Sequence, residues 1–144
     1  MIEQDTIKLL RECDSGVHMG VSSIRDVLEN VRNSALHKLL SDSLDDHETL
    51  GRQIEKLLHD YDDEGKTPPA IVKGMSWIKT NVKLALGEED KTVADLMTDG
   101  CDMGVKSLSR YLNQYAAADE QTKDIAKELI RIESRLAADL RDYL

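Results

Sequence analysis

The sequence predicts an all-α fold: a four-helix bundle of two repeated antiparallel helical hairpins, joined by a long crossover that contains an extra helix. Three observations carry this. The tripeptide Met19-Gly20-Val21 returns as Met103-Gly104-Val105, and at the same spacing Gly16 matches Gly100, Ser23 matches Ser107, Ile24 matches Leu108 and Leu28 matches Leu112. One residue out of that register, Leu40 matches Ile125, Leu44 matches Leu129 and Glu48 matches Glu133. Charged residues, Leu and Ala dominate, Phe is absent and the only two Pro are adjacent, which favours long helices over sheet. Apolar residues also recur at heptad spacing along four separate stretches.

The first helix is expected from about residue 3 to 32, with Ile7, Leu10, Asp14, Val17, Val21, Ile24, Leu28 and Val31 on one stripe; one member is an acid. Asn33 or Ser34 suits the N-cap of the next helix and a tight reversal. The second helix, about 35–61, presents Leu36, Leu40, Ser43, His47, Leu50, Ile54, Leu57 and Tyr61, so a histidine occupies the middle of its seam. The acids from Asp60 to Glu64 oppose the helix dipole and end it, with Gly65 suited to a left-handed cap. Thr67 and Pro68 start a shorter helix of about 68–86, with Ile71, Met75, Ile78, Val82 and Ala85 on its apolar face, Trp77 beside them and Gly87 at its end. The fourth helix, about 90–117, carries Ala94, Met97, Cys101, Gly104, Leu108, Tyr111 and Tyr115. Asp119 caps the fifth, whose stripe is Ile125, Leu129, Ile132, Leu136, Leu140 and Tyr143. The expected domain is single, 1–144, with hairpins 3–61 and 90–143. Gly16, Gly20, Gly100 and Gly104 each weaken a helix by about 1 kcal/mol relative to Ala, and their matching places predict close helix contact there.

A chain of 144 residues is long enough for one continuous core. Its net charge of -9, with no basic stripe, argues against nucleic acid and against an anionic membrane surface. The acidic start and the lack of a bilayer-length apolar run argue against a secretory signal or a span. Cys13 and Cys101 fit no disulfide framework or metal spacing, so a reduced, cytoplasmic setting is expected, each thiol serving as a small buried hydrophobe.

One long crossover between two similar hairpins is the layout of the ferritin-like superfamily, which the chain resembles. The segment Gly74-Met75-Ser76-Trp77-Ile78-Lys79, followed by Asp99-Gly100-Cys101-Asp102 and Tyr111, resembles the small, uncharacterised bacterial ferritin-like domains. The resemblance implies a bundle whose di-iron members draw one Glu from each of two helices and a Glu-x-x-His pair from each of the other two. Glu48 and Glu133 stand at matching places, but Gly51 and Leu136 stand where the histidines belong. The first helix has no Glu between Glu12 and Glu29, and the fourth has none. Ferroxidase or di-iron oxidase activity is therefore not expected.

His47 and Asp14 interrupt otherwise apolar seams. In a hairpin turning near Asn33, His47 lies level with Gly20, and Asp14 lies about 9 Å lower at 1.5 Å per residue. A metal group around His47 could draw on Glu48, His18, Asp14 and Asp102, a set suited to zinc, iron or manganese. The ordinary alternative is a half-buried histidine bonded to a neighbour. Ile132, the repeat mate of His47, shows that the seam needs no ligand at that level. The acids before Gly65 echo a calcium loop, but Ile71 holds its twelfth place and the prolines break it. No phosphate loop or nucleophile–histidine–acid spacing occurs. The expectation is a bundle without a catalytic centre or cofactor, acting as a homodimer or with another protein; the alternative is a metal-binding bundle using His47 and Glu48. A thiol sensor through Cys13 or Cys101 is a third reading, and residues around Trp77 could form a dimer contact.

Overall fold

The computed structural model describes residues 2–72 and 90–144, and these are helical with no strand among them. Four long helices make the bundle: α1 (Ile2–Leu28), α2 (Ser34–Asp60), α4 (Asp90–Gln114) and α5 (Glu120–Leu140). A single turn, α3 (Pro69–Val72), follows α2, and a 3-10 turn (Arg141–Tyr143) follows α5. Of the stretch 68–86, expected as a crossover helix, only the turn Pro69–Val72 is described as helix; Met75, Trp77, Ile78, Val82, Ala85, Gly87 and the Gly74–Lys79 motif lie outside the described residues.

The helix boundaries follow local chemistry. Asn33 caps α2, its side chain accepting from the backbone N–H groups of Ala35 and Leu36. Asp119 caps α5 by accepting from Thr122 N at 2.8 Å. At the end of α2 the Asp62 N–H donates to His59 O and the Asp63 N–H to Leu58 O, the paired bonds of a Schellman closure. The left-handed residue in that closure is Asp62, with φ 55°. Gly65 also has positive φ, 80°, but it shapes the loop beyond the helix rather than its cap. The reason is that Asp tolerates the left-handed region better than most residues, leaving glycine for a second turn. The first helix stops at Leu28, earlier than the stripe through Val31 implies, because the Asn30 and Val31 N–H groups bond back to Val27 and Leu28 in a turn.

α1 packs chiefly against α2, and α4 against α5; α5 also lies against α2 and α1, and α4 against α1. The ends establish direction. Asp90 at the start of α4 accepts from the Arg32 and Asn33 N–H groups, beside the α1–α2 turn. At the opposite end Thr6 of α1 accepts from Asp119 N, just before α5. α1 and α4 are therefore antiparallel, and the chain leaves the bundle at one end after α2 and re-enters at the other.

Two apolar clusters fill the interior. One holds Leu9, Leu10 and Val17 of α1 with Ile54, Leu58, Leu108 and Leu129; the other holds Ile24 and Val27 with Leu36, Leu40, Met97 and Leu140. Each draws on all four long helices. His47 and Glu133 are buried at the level between them.

Candidate functional site

His47 reaches that level because it continues the α2 stripe of Leu36, Leu40 and Ser43, and the pattern that buries those residues buries it too. Its ring is wholly buried. Nδ1 lies 2.7 Å from the Ser43 carbonyl oxygen and Nε2 lies 3.0 Å from Glu133 Oε1. A carbonyl oxygen only accepts, so Nδ1 carries a proton. Burial opposes a charged ring, but the hydrogen bond and charge of Glu133 outweigh it, helped by the Ser43 carbonyl, and His47 is held above the usual imidazole range. Glu133 therefore favours the protonated form of the buried ring.

The ring fits because Gly20 of α1 has no side chain: a Cβ there would sit 2.7 Å from His47 Cδ2 and Nε2. This is the close approach expected of the glycines, and its partner is a side chain. Gly16 is also tight, at 3.3 Å from Leu129 Cδ2. Gly104 differs: a Cβ there would meet Glu133 only at 3.6 Å, an ordinary contact. All four repeated glycines, Gly16, Gly20, Gly100 and Gly104, line a cavity of about 240 Å³ between α1 and α4. Met19, Met97 and Met103 form part of its wall, and Glu133 also lines it.

Cys101 shares this region. Burial, the charge of Glu133 and a hydrogen bond to it, and the charge of Asp102 all push its thiol upward. Cys13 is pushed up to about 12, first by burial and then by the Glu12 and Asp14 charges. Both shifts favour the protonated thiol over the reactive thiolate.

The candidate ligands separate into distinct groups. Glu48, although next to His47 in sequence, lies on the outer side of α2, where Arg25 binds its carboxylate at 2.7 Å. Asp102 is exposed on α4. Asp14 is buried near the end of the bundle away from the α1–α2 turn; its Oδ2 accepts from Lys66 N at 2.9 Å, pinning the loop after α2. His18, one turn along α1, places Nε2 at 3.3 Å from Asp14 Oδ1. The structure thus joins Asp14 with His18 and joins His47 with Glu133. Glu55 of α2, absent from the sequence-based set, comes near Asp14 and His18, with one potential ligand atom from each of the three residues within 4.8 Å of the others. Among the described residues no buried side-chain nitrogen or oxygen lacks a hydrogen-bond partner.

Glu133 is the residue whose pairing sequence reasoning missed. Its signal was the register match to Glu48, which identified the position without saying that one matched glutamate turns inward and the other outward. The second helix stripe named His47, but only the crossing of α2 and α5 gives its partner. Compared with known proteins, the chain matches no family model, no curated protein and no solved structure.

Proposed function

We propose that this chain is a ferritin-like bundle of two repeated hairpins joined by a crossover helix, of the kind found in small bacterial domains. In this reading it works as a protein-interaction module, by pairing with a second copy of itself, and has no catalytic centre. The re-entry of the chain at the far end of the bundle supports the ferritin-like layout. The mutual satisfaction of His47, Ser43 and Glu133 supports a structural use of the polar centre.

The observation that carries self-association is the face shared by α1 and α4. Met103 is 54% exposed and borders the 240 Å³ cavity on that same face. An apolar projection beside an apolar hollow is self-complementary, because a two-fold axis can place each copy's projection in the other's hollow. The methionine side chain is flexible enough to fill such a space.

Light scattering tests this. The wild-type chain is expected at twice its 16.2 kDa mass, and Met103→Glu at the monomer mass with its helix content intact. A wild type that stays monomeric up to about millimolar concentration, where Kd corresponds to only about 4 kcal/mol, overturns the reading. So does a dimer that Met103→Glu leaves undisturbed.

A further inference from the structure

We infer that Asp14, His18 and Glu55 form a binding site for one divalent first-row transition-metal ion, of the zinc type, holding α1 to α2 within the first hairpin.

The site starts from helical spacing. Asp14 and His18 are four apart on α1 and share one face of it. Glu55 approaches from α2, because the antiparallel pairing that sets His47 opposite Gly20 brings residue 55 near residues 12 to 14. Each residue offers a different kind of order. The Asp14 side chain is 5% exposed and is oriented by the Lys66 N–H on Oδ2, which leaves Oδ1 toward His18. His18 is 37% exposed, so its ring reaches the surface with Nε2 turned inward. Glu55 is exposed and brings one carboxylate oxygen within 4.8 Å of a ligand atom from each of the other two.

Two observations separate this group from an ordinary surface ion pair. The first is distance. A charge-assisted N–H···O bond normally closes to about 2.7–2.9 Å, whereas His18 Nε2 and Asp14 Oδ1 stand 3.3 Å apart. Ligand atoms about 2.0–2.1 Å from a tetrahedral zinc lie about 3.3–3.4 Å from each other. The second is charge. The nearby cations are engaged elsewhere: Lys66 Nζ binds Glu12 at 2.7 Å, and Arg11 binds Asp63 through Nε at 3.0 Å. Among the described residues no Lys or Arg forms an ion pair with Asp14 or Glu55. Two carboxylates around one imidazole without a basic partner favour a cation. Mixed imidazole and carboxylate donors select zinc, iron, manganese or cobalt over the all-oxygen preference of calcium and magnesium. Three protein ligands at a half-open surface leave a fourth position for water.

Cobalt(II) is the probe, since tetrahedral coordination gives it a strong visible absorption. The full chain, stripped with chelator, is titrated with cobalt(II) and then with zinc(II). One equivalent of cobalt should develop the band, and zinc should displace it. His18→Ala and Glu55→Gln should each weaken binding by at least about 10-fold, a loss that even outer-shell changes at metal sites can cause. Both side chains reach solvent, so circular dichroism should show unchanged helix content. His59→Ala, on the exposed face of α2, should bind as the wild type does. No saturable band, a band unaffected by His18→Ala and Glu55→Gln, or one equally weakened by His59→Ala overturns the assignment. Dimer mass is read separately, so loss of metal and loss of self-association are distinguishable outcomes.

Discussion

At the scale of single residues, the His47–Glu133 pair accounts for the polar interruption of two apolar seams. Isolated, either charge would be costly in this interior; together, with the Ser43 carbonyl on the second ring nitrogen, they are satisfied. The raised His47 value has a definite consequence for stability. A group whose folded pKa exceeds its unfolded value adds stability fully present below the unfolded pKa, here the ordinary 6.5, and lost as pH rises through the folded value. The urea midpoint should therefore fall as pH increases from about 6.5, and His47→Gln should flatten that slope while lowering stability at acidic pH. A wild-type midpoint that rises over the same interval, or a slope unchanged in the variant, would contradict an upward shift of His47 in the folded chain. The stripe through Leu40 and Leu50 made the burial of His47 legible in the sequence. The identity of its partner was not, since Glu48 and Glu133 look equivalent along the chain.

At the scale of helices, the glycines show how closely elements approach. Their recurrence predicts tight contact at each, but the structure divides them. α1 presses Gly20 onto the His47 ring, while α4 leaves Gly104 at ordinary distance from Glu133. Gly20→Ala should overpack the centre and cost about 1–3 kcal/mol. Gly104→Ala should instead stabilise by about 0.5–1 kcal/mol, because a helical glycine gives way to alanine without a clash. Denaturant unfolding of both variants decides the matter: equal signs of effect would mean that the two helices meet the centre alike. Caps were the most legible elements, because an Asn or Asp accepting bonds from the next two or three N–H groups is a local event. The end of α2 was less so. Its left-handed position fell to Asp62 rather than Gly65, since where a loop turns depends on what it must reach, here Asp14 across the gap from Lys66 N.

At the scale of the whole molecule, the two apolar clusters are shared rather than assigned one to each hairpin. Leu9, Ile54, Leu108 and Leu129 belong to one, and Ile24, Leu40, Met97 and Leu140 to the other. Each hairpin supplies only part of each cluster. A peptide spanning residues 2–60 is accordingly expected to show no cooperative thermal transition by circular dichroism, whereas the full chain unfolds in one. Cooperative unfolding of that peptide as a monomer would show that the first hairpin is self-sufficient. No described helix is long and apolar enough to cross a membrane, which agrees with a chain whose long helices each keep a charged outer face.

The amino-acid order by itself determined the four long helices, the caps at Asn33 and Asp119 and much of the inward face, with Leu10, Val17 and Ile24 buried as expected but Ile7, Val21 and Leu28 only half-buried, because 3.6-residue periodicity and capping depend on neighbours a few positions away. It also determined that His47 would lie level with Gly20, since an antiparallel turn near Asn33 leaves little freedom in register. Tertiary structure alone decided which glutamate turned toward that histidine, which glycine was pressed and which met its neighbour at ordinary distance, and that Glu55 would join Asp14 and His18. Those outcomes depend on the rotation of each helix about its axis and on the angle at which neighbours cross. Both are set by the packing of all four helices together, which no single stretch of the chain contains.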